Sequence, residues 1–244
     1  MWTSDAVRAA GRTARRLARL APLAPLALLA AAARDAGAQG AVRGELALVE
    51  RPGAAAADLR GALLWLEPRG GAAAAPAAPR AASILMRGRE FSPRVLPVAV
   101  GGSVGFPNDD PFSHNVFSSA DAAPFDLGLY RRGVTRAATF PKAGVYPIHC
   151  NIHSKMVAFV VAVPDAWIAR PDAAGRFAFA GVPAGTYVLH AWHERASSPH
   201  AQPVVVEAAG ASGVRVTLDA RAYVPAPHLN KFGRPYAALR TDRY

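Results

Sequence analysis

The chain has 244 residues, with 28 Lys+Arg against 17 Asp+Glu for a net charge of +11; 52% of it is hydrophobic and 18% charged. That balance excludes a disordered polyelectrolyte, and the length fits one or two domains large enough to bury a core. A single cysteine, Cys150, excludes a disulfide framework and any multi-cysteine zinc or iron–sulfur site.

Arg8, Arg12, Arg15, Arg16 and Arg19 precede an apolar stretch over 20–33, and Ala36-Gly37-Ala38 follow before Gln39. A basic start, an apolar run of about 7–15 residues and a small-x-small site predict a signal peptide over 1–38, cleaved near Ala38. The run is shorter than the ~20 residues a spanning helix needs, and Pro22 and Pro25 interrupt it, so no stable membrane insertion is expected. No Phe-Leu-Lys follows Arg15-Arg16, which favours the ordinary secretory route over the twin-arginine one. The expected location is the periplasm. Removal of 1–38 takes away six Arg and two Asp and leaves a net charge of +7. A positive surface favours acidic partners and fast encounter. An exported chain without a nucleic-acid motif predicts no nucleic-acid partner.

Beyond Gln39 the chain reads as short strands broken by Gly and Pro. Leu46 and Leu48 alternate with Ala47 and Val49, and 62–66 is a continuous apolar run. The Ala/Pro-rich stretch 68–82 reads as a mobile linker. Strands follow at 84–86, 95–100, 104–106, 115–117, 137–140, 144–148 and 157–163. In the last of these Val157, Phe159, Val161 and Val163 share one face. A third block holds strands at 176–179, 186–192, 204–207 and 214–218. Even spacing with turn residues between strands predicts an all-β protein: two β-sandwiches and a tail.

The lone cysteine lies in Tyr146-Pro147-Ile148-His149-Cys150-Asn151-Ile152-His153-Ser154-Lys155-Met156, directly before a strand. A single Cys is most often a buried small hydrophobe, a lone Met a core residue, and a lone His a surface group. Here a thiolate, an imidazole and a thioether share one tight loop at C-x2-H-x2-M spacing. A second imidazole is available at His114. Two His, one Cys and a weak axial Met are the donor set of a blue copper site, because soft sulfur suits Cu(I) while imidazole suits both oxidation states. His149 adjoins the cysteine, but strand alternation points it away from such a site. Asn108-Asp109-Asp110-Pro111 reads as a turn rather than a hard-cation site. His190 and His193 flank Trp192 on opposite sides of a strand and make a poor chelate. The tail 220–244 mixes aromatics, Pro and basic residues and either packs on the surface, docks a partner or frays.

Residues 83–163 resemble the cupredoxins, in the amicyanin and plastocyanin-like branch. The likeness rests on Phe91-Ser92-Pro93, Val98-Ala99-Val100-Gly101, Val104-Gly105-Phe106-Pro107-Asn108, His114-Asn115-Val116 and the Gly-x-Tyr-x-x-His-Cys-x-x-His-x-x-Met of 144–156. The two-residue gap between His153 and Met156 is the amicyanin-like variant; Met156 is followed by Val157-Ala158-Phe159, without the Gly many relatives have nearby. The resemblance implies a Greek-key β-sandwich holding one type 1 copper. Cys150 would supply the thiolate, His114 the inner imidazole, His153 the outer imidazole near the surface, and Met156 the weak axial ligand. Asn115 would tie the His114 strand to the Cys150 loop from outside the ligand set. Asp172-Ala173-Ala174-Gly175 and Val182-Pro183-Ala184-Gly185-Thr186-Tyr187 resemble the carboxypeptidase regulatory-like, transthyretin-like domain, with Gly where a turn needs positive φ. The broader arrangement is similar to bacterial proteins called methylamine utilization proteins, a name that establishes no substrate.

The expected organisation is a signal peptide (1–38), first strands (40–67), linker (68–82), cupredoxin-like domain (83–164), regulatory-like sandwich (165–219) and basic aromatic tail (220–244). Residues 40–67 either pair with 167–219, making the copper domain an insertion, or extend the copper domain's own sheet. The expected function is electron carriage between a redox donor and acceptor, with a periplasmic dehydrogenase and a c-type cytochrome as candidate partners for a monomer. No catalytic constellation points to an enzyme. The alternatives are copper sequestration or delivery, and a structural module with a degenerate site.

Overall fold

A computed structural model describes residues 39–52, 58–70 and 75–236; the expected signal peptide lies outside them. The described residues form 17 strands and one 3-10 turn, Leu59–Gly61, as the all-β reading expects. No helix among them is long and apolar enough to cross a membrane.

The early strands are β1 (Gln39–Val49) and β2 (Leu63–Arg69). A middle group follows: β3 (Ala81–Ser83), β4 (Leu85–Arg87), β5 (Glu90–Ser92), β6 (Val95–Ala99), β7 (Gly102–Pro107), β8 (His114–Ser118), β9 (Phe125–Tyr130), β10 (Thr135–Phe140), β11 (Gly144–His149) and β12 (Val157–Val163). The last group is β13 (Trp167–Ala169), β14 (Arg176–Pro183), β15 (Gly185–Trp192), β16 (His200–Val206) and β17 (Ala211–Asp219).

Backbone pairing sorts these strands by ladder rather than by chain order. β1 lies between β14 and β17, and β2 between β13 and β15, with β16 on the far side of β15. Leu64 and Leu66 of β2 and Leu46 of β1 then meet Phe177, Phe179, Tyr187, Leu189, Val216 and Leu218 in one core. Strands β3–β12 lie in the chain between the two halves of that sandwich and build their own sheets, β10-β7-β3 and β6-β12-β11-β8-β9, with the hairpin β4-β5. Their core gathers Ile84, Met86, Phe106, Phe140, Tyr146, Ile148, Ala158 and Val160.

The run 157–163 is apolar throughout because both of its faces are covered. Ala158, Val160 and Ala162 enter the β3–β12 core, while Val161 and Val163 join a separate cluster with Leu63 and Trp192 of the other sandwich. Several of the described residues within 68–82, the stretch expected to be a mobile linker, are held by the fold. β2 runs on to Arg69, and Ala78 is buried. The carbonyls of Pro76, Pro79 and Arg80 accept from the N–H groups of Ala166, Ala99 and Ser103. Proline removes donors but leaves carbonyls free to accept, so a Pro-rich segment can still be held. Of the two turn glycines, Gly175 has the positive φ, +83°; Gly185 instead opens strand β15.

Candidate metal centre

His114 is the first residue of β8, and Cys150 directly follows the last residue of β11. The two strands are neighbours in one sheet, with His149 opposite Phe117, so residues 36 positions apart come side by side. From Cys150 the chain makes a tight connection into β12, closed by the Met156 N–H donating to the His153 carbonyl at 3.1 Å. Met156 is buried among the same core residues as Cys150.

The donor atoms of His114, Cys150 and His153 all lie within 4.8 Å of one another. The sulfur stands 3.7 Å from His114 Nδ1 and 3.6 Å from His153 Nδ1. Metal bonds of about 2.3 Å to sulfur and about 2.0 Å to nitrogen, opened to a tetrahedral or trigonal angle, span such separations. The donor set therefore fits a first-row metal, and its chemistry, one thiolate and two imidazoles with a thioether close in sequence, suits copper. His114 and Cys150 are buried, and His153 is half-buried.

Burial pushes the Cys150 thiol up, against backbone N–H groups of Ile152, Asn115 and His153 that favour the thiolate. Burial also pushes His153 down, helped by His114 and Arg89 and opposed by Asp110. The metal-free pocket thus holds a neutral imidazole and a protonated thiol, and metal uptake must release a proton.

Asn115 is buried beside these residues. Its Nδ2 donates to Asp126 Oδ1 at 2.6 Å, and its Oδ1 accepts the Asn151 N–H at 3.3 Å. It thereby bridges the strand carrying His114 and the loop carrying Cys150. His149 turns away from the donor cluster, packing on Phe117 and stacking on His228.

One participant has no counterpart in the sequence reading. Asp110, expected only as a turn residue, points its carboxylate inward. Oδ2 lies 2.7 Å from His114 Nε2, and the carboxylate also accepts the N–H groups of Gly88 (2.6 Å) and Arg89 (2.9 Å). Burial raises the Asp110 carboxyl, but the Arg89, His114 and Gly88 bonds together bring it below its ordinary range. An ionised carboxylate only accepts, so the His114 proton sits on Nε2 and the Nδ1 lone pair faces Cys150. The four-residue spacing from Asp110 to His114 was the available signal, hidden because Asp is common in turns. Phe112 packs edge-on to His114 and tilted against His153.

His190 and His193 do not converge. His190 stacks on Trp65 and pairs with Glu67. His193 uses both ring nitrogens, Nε2 toward the Asp58 carbonyl and Nδ1 accepting the Arg195 N–H.

The fold and donor set together describe an all-β chain with a His₂Cys cluster at the end of one sheet. Solved structures similar to it are cupredoxins. A purple cupredoxin from Nitrosopumilus maritimus is 26% identical over 34% of this chain and 99% of its own, with a TM-score of 0.31. A reduced Cu(I) form at pH 4 of an amicyanin mutant is 27% identical over 34% of this chain and 82% of its own, with a TM-score of 0.32. An oxidized amicyanin mutant is 23% identical over 41% of this chain and 99% of its own, with a TM-score of 0.32. No protein-family model matches the chain and no curated protein is significantly similar to it.

Proposed function

We propose that the chain is a periplasmic mononuclear type 1 copper protein that carries single electrons between redox proteins and is not itself an enzyme. The observation that carries this reading is the convergence of His114 Nδ1, Cys150 Sγ and His153 Nδ1 in a largely buried cluster. His114, Cys150 and His153 would hold the metal, with Met156 as a further, weak thioether donor. When bound, copper supplies a one-electron couple between two oxidation states.

The chain's own part is to hold the donors still. His114 is fixed by the Asp110 carboxylate, Cys150 by its place at the end of β11, and the connecting loop by Asn115. A frame that keeps the His114 imidazole and the Cys150 loop oriented before the metal arrives limits reorganisation when charge changes. His153 is the most exposed of the three donor residues, which makes its edge the route between the centre and a docked partner. A c-type cytochrome and a periplasmic dehydrogenase are the partner classes to try.

Addition of Cu(II) to the purified protein tests this. An intense band near ~600 nm with a reversible one-electron couple is expected of a His₂Cys site with a weak axial ligand. Copper uptake without that band and couple would overturn the carrier reading and favour sequestration or delivery.

A further inference from the structure

The C-terminal segment after β17 returns to the donor loop. Tyr236 donates its hydroxyl to the Cys150 carbonyl at 2.6 Å. The Lys231 N–H donates to Asn151 Oδ1 at 2.9 Å, and its Nζ to Asp126 Oδ2 at 2.6 Å. Asp126 also accepts from Asn115 Nδ2, and Asn115 accepts the Asn151 N–H. These bonds close a ring through Lys231, Asp126, Asn115 and Asn151. Two of its members adjoin His114 and Cys150 in sequence. His228 lies flat on His149, with ring centroids 4.0 Å apart and planes at 3°.

We propose that residues 228–236 are a positioning strap for the metal loop, setting how firmly the Cys150–Asn151 peptide is held and thereby how slowly the centre loses its metal. The metal half of this proposal rests on the copper reading above. The Cys150 carbonyl belongs to the residue that bears the sulfur, so a hydroxyl bonded to it fixes the peptide plane from which the Cβ–Sγ bond projects. Lys231 acts at two points. Its backbone anchors the Asn151 side chain, and its ammonium holds the carboxylate that orients Asn115.

An exposed Lys–Asp pair contributes little stability by itself. The Lys231–Asp126 pair is part-exposed, and its value lies in closing the ring. Ordering the loop at folding removes that cost from metal binding, the usual gain from preorganisation. The strap belongs to neither sandwich core, so loosening it leaves both folded.

The test uses full-length protein with Lys231→Met, Lys231→Arg as the conservative rescue, and Tyr236→Phe. In the metal-free protein, amide exchange at Asn151 is expected to rise about tenfold in Lys231→Met, because local opening becomes easier, and to return to near wild type in Lys231→Arg. In the copper-loaded protein, both Lys231→Met and Tyr236→Phe are expected to lose copper to a chelator about tenfold faster, in the range seen when groups supporting metal ligands are removed. Their visible band should also shift. Exchange at Asn151 unchanged in Lys231→Met, with copper loss unchanged in Tyr236→Phe, would overturn the strap. If wild type forms no blue centre, the copper reading fails instead, and the exchange measurement still decides whether the segment holds the loop.

Discussion

Asp110 offers the sharpest single perturbation of the centre. Its carboxylate receives three donors, and they are not equivalent. Gly88 and Arg89 are exposed, so their N–H groups can turn to water, whereas His114 is fully buried and cannot. Asp110→Ala therefore leaves one buried ring nitrogen unpaired and removes two charge-assisted bonds at the rim. With about 1–3 kcal/mol for the stranded group and a smaller net loss at the rim, the metal-free protein should lose on the order of 3 kcal/mol. Asp110→Asn is milder. Its amide oxygen can keep His114 and Arg89, while its NH₂ is left facing the Gly88 N–H, for a loss of about 1–2 kcal/mol.

Urea unfolding of the metal-free variants measures both losses. A second readout separates packing from charge. On the copper reading, both variants delete an anion beside His114, and an anion favours the more highly charged oxidised metal, so both should raise the reduction potential. In Asp110→Ala the His114 proton is also free to move to Nδ1, where it competes with the metal, so copper affinity should fall by about ten- to a hundredfold. Wild-type stability in Asp110→Ala, or a potential that falls in Asp110→Asn, would refute the reasoning.

Other expectations follow from the proposed copper centre and from the fold. Cys150→Ser should abolish the intense visible band, because only the thiolate supplies that transition, and Met156→Leu should keep a blue site with a raised potential; an unchanged potential in Met156→Leu removes Met156 from the axial role. His193 is held neutral, with burial pushing it down more than the Asp58 carbonyl bond raises it. The unfolded chain therefore takes up that proton first, and the contribution is complete above the ordinary value near ~6.5 and lost as pH falls through the lower folded value. Thermal melts from pH 8 to pH 5 should show a smaller pH-dependent drop in His193→Gln than in wild type. Gly44→Ala should cost at least about 2 kcal/mol in urea, an overpacking effect, because its Cβ would overlap the Val214 carbonyl across the β1–β17 ladder and stand 2.6 Å from the Phe177 ring.

Strands with one wet face were legible from alternation: Val216 and Leu218 enter the core while Arg215 and Thr217 face out. β9 was not, because Phe125–Tyr130 is mostly half-exposed, carries Gly128 at positive φ and faces a register irregularity in β8. β13 is only three residues long and owes its existence to the edge of β2. Cys150, His153 and Met156 could be read together because their spacing lies within one loop. Asp110 could not, because Asp four residues before a His is masked by the commonness of Asp in turns. The strap could not, because it acts across a distance that only the folded chain closes: Tyr236 reaches a carbonyl 86 positions away. Residues 228–236 show no period because they are held by discrete polar bonds and one ring stack rather than by one apolar face.

The second sandwich gains a physical role from the run 157–163. The β12 face turned away from the donor cluster carries Val161 and Val163, and its parallel neighbour β6 adds Val95 and Ala99. Left uncovered, this would be an apolar patch on the sheet that ends in the donor loop, and such patches invite association. Leu63 and Trp192 cover it, Phe159 lies against Trp192, and the rim is pinned by Arg94 forked onto Glu194 and by Arg170 donating to the Val95 carbonyl. Arg94 also donates to the carbonyl of Val157, the first residue of β12 after the donor loop. At roughly 1.5–3 kcal/mol for each fully buried aliphatic side chain, this cover outweighs the part-exposed ion pair at its edge. The hydrophobic contact therefore stabilises the back of the sheet, while the arginines fix its register. One sandwich supplies the donor atoms, and the other keeps their sheet buried on its second face.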